Sequence, residues 1–224
     1  MSLPARPPLA ADDPLARALV AAIRAGDLPA LEALLVREPW LARARVAGPD
    51  GMPRSLVHLA TDWPGHFPNV AATLRALVAA GADVNARMPP HPKDPNCVET
   101  PLHAAASSND LAAIDALLDL GADLEAPGAI FTAGTPLSDA VIFANYPAAR
   151  LLVARGARLT FWQAAALGHL DLVQAHWTQS PPPAPDDATH ALWHACRAGQ
   201  SKIAEFLLTC WAGRKSYRFD GVEQ

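Results

Sequence analysis

Small and large apolar residues recur along this chain on a fixed interval. A pair of small residues is followed 11 positions on by a pair of large apolar ones. Measured from the second residue of the first pair to the first of the second, Ile23 leads to Leu34, Ala106 to Leu117, Val141 to Leu152, Ala165 to His176 and Cys196 to Leu207. Thr61 to Leu77 spans 16. Generic alanine richness does not produce five equal spacings, so the chain is an internal repeat. Within one unit Leu111, Ile114, Leu117 and Leu118 fall at i, i+3, i+6 and i+7, the stripe of an amphipathic helix. The preceding run Ala104-Ala105-Ala106 predicts a first helix that approaches its neighbours closely, with the second helix filling the space between units. Gly81, Gly121 and Gly156, each followed by Ala, suit the left-handed position that ends a helix. Thr100-Pro101 and Thr135-Pro136 suit an N-cap and a first helical residue.

These residues resemble the ankyrin repeat. ETPLHAAASSNDLAAIDALLDLGADLEA (99–126) matches the family almost throughout, and GTPLSDAVIFANYPAARLLVARGA (134–157) and ALVAAGADVNAR (76–87) are similar to it. VAAIRAGDLPALEALL (20–35), AAALGHLDLV (164–173) and ALWHACRAGQSKIAEFLL (191–208) extend the likeness, the last three in the manner of the bacterial branch. The resemblance implies an all-α ankyrin-repeat solenoid of about six helix–turn–helix repeats with short finger loops and no general catalytic activity. Residues 12–213 form the repeat domain, 1–11 a disordered or extended N-terminal segment, and 214–224 an irregular C-terminal tail. Repeat 2 departs from the pattern by about five inserted residues within Asp62 to Asn69, followed by a long proline-rich finger from Met88 to Val98. The finger between repeats 4 and 5 is nearly absent, and His176-Trp177 replaces an apolar pair.

Composition narrows the function. With 18 basic against 22 acidic residues, the net charge of −4 argues against a nucleic-acid partner. Three cysteines without a CxxC pair exclude a disulfide framework and the usual thiolate zinc site. No run of 18 apolar residues predicts a membrane span, and prolines and aspartates near the start interrupt any signal-peptide core. The expectation is a cytoplasmic protein without a cofactor.

No GxGxxG, P-loop, GxSxG or HExxH motif is present, so no catalytic residue is assigned. His58, Asp62 and His66 stand four apart and would share one face of a continuous helix, a pattern that suits metal ligation. Pro64-Gly65 breaks that helix, and the resemblance gives His58 a structural hydrogen bond at the TPLH histidine position. His190 and His194 form a second i, i+4 pair without a nearby carboxylate, which favours packing. Cys97, near His91 and Asp94, reads as an exposed thiol and Cys196 as buried packing.

The resemblance places contact residues at the finger tips and after the small-residue pair of each first helix. Here those are Asp62, Trp63, Ser107, Ser108, Ile142 and Phe143, joined by His66 and Phe67 of the insertion and by Met88, His91, Ile130 and Phe131 of the fingers. Aromatic residues on such a face predict a non-catalytic scaffold binding a protein or peptide around repeats 2–4. The alternative is a small-molecule or metal-binding protein, with hydrolytic activity, centred on the repeat 2 insertion. Trp63 and Phe67 alternatively fold back as a minor core. Trp162 and Trp193, assigned to the histidine position of repeats 5 and 6, plug the gap left by the short finger. Phe206, Leu207 and Trp211 at the uncapped last repeat point to weak self-association.

Overall fold

The computed structural model describes residues 6–48, 50–90, 92 and 95–219, with side chains through 212. Twelve helices lie among them, and the chain divides after Ala157 into two compact units. Unit 1 contains the pairs α1 (Pro14–Ala25) and α2 (Leu28–Arg37), α3 (Leu56–Thr61) and α4 (Val70–Ala79), α5 (Pro101–Ser107) and α6 (Leu111–Asp119), and α7 (Pro136–Ile142) and α8 (Tyr146–Ala154). Each first helix packs on the next, α1 on α3, α3 on α5 and α5 on α7. The second helices α2, α4, α6 and α8 form a parallel row. This is the stack expected from the repeat.

The caps follow the local chemistry. Thr100 precedes Pro101 and Thr135 precedes Pro136, each at its helix start. Asp13, Asp27 and Asp110 accept hydrogen bonds from backbone amides in the first turns of α1, α2 and α6. Gly81, Gly121 and Gly156 hold φ of +100°, +92° and +103° just after α4, α6 and α8, a conformation a side chain would strain. Leu19, Leu56, Leu102 and Leu137 are buried in the four first helices, and Leu31, Leu77, Leu117 and Leu152 in the four second ones. Truncating any of these leucines to alanine costs about 2–5 kcal/mol.

Hydrogen bonds tie repeat to repeat. The Thr100 amide donates to His103 Nδ1 at 3.1 Å, and the Thr100 hydroxyl lies 2.9 Å from the same nitrogen. An amide only donates, so Nδ1 is bare and Nε2–H donates to the Gly134 carbonyl at 3.3 Å. His58 repeats the device, with Ser55 Oγ 2.8 Å from Nδ1 and Nε2–H donating to the Glu99 carbonyl at 3.1 Å. Burial holds both imidazoles near a pKa of about 4, so both are neutral at physiological pH. The fingers are linked in series: Arg45 donates to the Arg87 carbonyl at 2.8 Å and Arg87 to the Pro127 carbonyl at 2.9 Å.

Unit 2 is built from α9 (Phe161–Leu167), α10 (Leu170–Trp177), α11 (Pro185–Arg197) and α12 (Ser201–Phe219). Phe161, Ala164, Ala165, Val173, Ala191, Ala195, Ile203 and Leu207 form its core.

Several expectations change. The finger between repeats 1 and 2 is an antiparallel hairpin of β1 (Arg45–Ala47) and β2 (Pro53–Ser55), and Leu9 pairs with Val46 beside it. Helix α12 continues to Phe219, into the segment read as irregular. Cys196 is exposed, not buried. Ala188, Ala191 and Ala195 share the buried face of α11, and the next residue points about 100° away from it. In repeat 5 the capping role belongs to Gln163, whose Oε1 accepts the Thr160 amide at 2.9 Å, and not to Trp162 one place earlier. Trp193 is 56% exposed and plugs nothing. Leu207 is buried and Phe206 meets Trp177 edge-on at 6.3 Å, so the residues assigned to self-association are largely covered.

Candidate functional site

Two cavities open in unit 1, and Arg54 and Asp50 line both. The larger, about 980 Å³, runs between α1 (Arg17, Val20, Arg24), the hairpin and the end of α3. Asp62, Trp63 and Phe67 form its far wall. The smaller, about 380 Å³, is lined by Met52, Met88, Cys97, Glu99, Ile130 and Phe131. Arg54 stands between them, holding Asp50 at 2.8 Å and Asp62 at 2.7 Å. Its guanidinium draws Asp50 down to a pKa of about 2. These ion pairs fasten the hairpin to the start of the repeat 2 insertion.

Trp63 is 80% exposed, so it does not fold back into a minor core. Phe67 beside it is half-buried. Phe131 is 73% exposed and meets Phe143 at a ring separation of 6.4 Å. Its backbone holds φ +67°, a left-handed conformation that costs a bulky residue about 1 kcal/mol. Strain of this kind persists where the surroundings enforce it and clusters at binding sites.

The other sequence candidates make contacts within the stack. His66 donates through its backbone amide to Asp110 at 2.7 Å and through Nε2–H to the Ser108 carbonyl at 3.0 Å. Gly65 lets the insertion approach this closely, since a Cβ there would lie 2.9 Å from Ser108 Cβ. Ser107 donates to the Ala104 carbonyl at 3.0 Å, and its own carbonyl accepts from Asn145 at 2.7 Å. Ile142 is half-buried. His91 and Asp94 lie outside the described residues, and Cys97 is half-buried rather than exposed.

The metal reading of the insertion does not fit. Both ring nitrogens of His58 are engaged by Ser55 and Glu99, Asp62 is held by Arg54, and His66 is turned to Ser108. Each member of the trio has a different neighbour.

A carboxyl pair escaped the sequence reading. Glu99 lines the smaller cavity, and its side chain meets that of Asp139, which is fully buried in α7. Neither Asp139 oxygen has a well-formed hydrogen bond from an amide or hydroxyl group. Two buried carboxyls in contact cannot both stay ionised at low cost, so they share a proton. Burial first, and then the Glu99 charge, push Asp139 far above the ordinary carboxyl range, and the Ile130 amide offsets only part of this. Asp139 is the deeper member and holds the proton. Its signal in the sequence was a carboxylate four residues after Thr135, where repeat 3 has Ala104 four after Thr100.

Among the described residues no helix is long and apolar enough to cross a membrane. No curated protein matches the chain. A family model of ankyrin repeats in three copies matches residues 22–161, well over half the length. The Thr-Pro caps, inter-repeat histidines and left-handed glycines described above lie within that span, and the chain belongs to the ankyrin repeat family.

Proposed function

We propose that unit 1 holds a segment of a protein or peptide partner across its finger face, from Trp63 and Phe67 beside the larger cavity to Met88, Ile130, Phe131 and Phe143 beside the smaller. Ankyrin repeats generally mediate protein–protein interaction and are typically non-catalytic scaffolds. The observation that carries the choice of face is Trp63, 80% exposed on the wall of a 980 Å³ cavity. An exposed indole beside a cavity offers a large apolar face and an N–H donor for a partner to cover. Aromatic anchors in such settings each contribute on the order of 2 kcal/mol to binding. The hydrogen-bonded stack keeps the surface preorganised, which limits the ordering cost of association. His66, fastened to Ser108, adds an exposed polar edge beside that surface, Ser107 and Ser108 flank it at the end of α5, and the partner meets Asp62 through the Arg54 pair. With three cysteines and no CxxC pair, a reducing compartment such as the cytoplasm suits the chain.

The test is a pull-down from the source cell with wild type and the Trp63→Ala/Phe131→Ala double variant, alongside urea unfolding of both. The expected outcome is at least a tenfold loss of the recovered partner at unchanged stability. Equal recovery at equal stability would remove this face from consideration.

A further inference from the structure

We propose that His190 and His194, on α11 in unit 2, form a two-imidazole site for a late transition-metal dication of tetragonal preference, copper(II) above all. The two Nε2 atoms are 3.0 Å apart. Without an ion, a separation this short is bridged by one N–H···N hydrogen bond, and an ion that takes the place of that hydrogen can use both nitrogen lone pairs. Metal–imidazole bonds of about 2.0–2.1 Å set at a right angle place the two nitrogens about 2.9 Å apart, whereas a tetrahedral angle needs about 3.3 Å. The separation of 3.0 Å, which is that of an N–H···N hydrogen bond, lies nearer the right-angle value, and the rings need move least to take the cis relation of a square-planar or tetragonal ion. Copper(II) also tops the affinity order for nitrogen ligands among divalent first-row metals.

The surroundings keep the ligands in place. The Trp162 ring lies 5.0 Å from the His190 ring and 4.6 Å from that of His194, and Trp193 meets His194 edge-on at 4.7 Å. His194 is fully buried, so its ring is held in place by the surrounding packing. His190 is exposed, giving the ion access from solvent. No third histidine, cysteine or carboxylate joins them among the described residues, so water completes the coordination. Ligation through Nε2 puts the proton of His194 on Nδ1, which has no partner. The missing acceptor weakens the site relative to one with a full outer shell.

Copper(II) titration of the full chain, followed by calorimetry and electron paramagnetic resonance, tests the assignment. The expected result is one equivalent giving an axial signal with hyperfine structure from two nitrogens. That equivalent is lost, or weakened at least tenfold, in His190→Ala, whose exposed position leaves the fold intact, and in His194→Gln. Copper binding unchanged by His190→Ala, or a signal with one nitrogen ligand, overturns the site. Zinc(II) bound as tightly as copper(II) overturns the tetragonal geometry.

Discussion

The two units use the same helix pair but distribute polar and aromatic residues in opposite ways. In unit 1 the imidazoles of His58 and His103 are buried with both nitrogens engaged, while Trp63 and Phe131 stand in water. In unit 2, apart from the exposed Trp193, the aromatics turn on one another: Phe161 packs against His176 and Trp177, and Trp162 against His190 and His194. One buried histidine nitrogen there, Nδ1 of His194, has no partner. The difference traces to the capping histidine, His58 three residues after Ser55 and His103 three residues after Thr100. Where the cap is present, each histidine reaches a carbonyl of the next finger and the stack is specified by hydrogen bonds. Its aromatic residues are then available for contact. Where the cap is absent, ring packing takes over the same space. Hydrogen-bonded order at the centre and aromatic exposure at the fingers are two sides of one design.

Removing a histidine cap in unit 1 therefore has the largest effect. His103→Ala leaves the Thr100 amide and the Gly134 carbonyl without their partner and opens a void in a fully buried position. The expected loss is about 3 kcal/mol in urea unfolding. Gln163→Ala, which removes the corresponding cap in unit 2, costs about 1 kcal/mol. Equal losses at the two positions would break the contrast between the units.

Acid acts on the same histidines. His58, His103 and His194 have folded-state pKa values near 4, below the ordinary 6.5, so the unfolded chain takes up protons first as the pH falls. Their contribution is full above about pH 6.5 and is lost progressively towards pH 4. Chemical unfolding across that window is expected to show falling stability, with a shallower slope in His103→Gln. An unchanged slope in the variant would mean that His103 is not held neutral by burial.

What could be read from the chain follows from how local the chemistry is. Thr100-Pro101, Thr135-Pro136 and the glycines after α4, α6 and α8 carry their meaning within a few residues, and the structure places them as read. Exposure of Trp63 was not decided locally. An indole favours the interior on its own account, and only the anchoring of the insertion to Ser108 and Asp110, more than 40 residues away, leaves it outside. The hairpin was missed because it depends on pairing Arg45 with Ser55 across a turn. Cys196 was misplaced because a pair of small residues does not say which of the two faces the core. Arg54 had no signal beyond Asp50 four residues before it.

Asp139→Asn sharpens the account of unit 1 with an intermediate effect. The raised folded-state pKa means that the native chain holds a proton the unfolded chain has released. That contribution is full below the ordinary carboxyl range and declines as the pH rises through the folded value. An asparagine amide needs no proton to donate to Glu99, so the variant escapes the decline. It is expected to match wild type near pH 4 and to exceed it by about 2 kcal/mol at pH 8, by urea unfolding. A stability difference independent of pH would rule out the shared proton.

Phe131→Gly gives the smallest change in stability and opposes fold to function most directly. Glycine adopts φ +67° freely, so the left-handed strain of about 1 kcal/mol is relieved. Against this stand the greater freedom glycine gives the unfolded chain and the lost contact with Phe143. Phe131 is 73% exposed, so the contact is modest and the balance is a gain of about 0.5 kcal/mol. Partner capture should fall at least tenfold in the same variant. Phe131→Ala separates the causes, since alanine removes the ring but keeps a Cβ in the left-handed region and should lose the partner without gaining stability. A strained aromatic residue kept at the protein's own expense is expected where a partner supplies the compensation. If the glycine variant gains stability and still captures the partner in full, Phe131 is not an anchor and the smaller cavity drops out of the binding face.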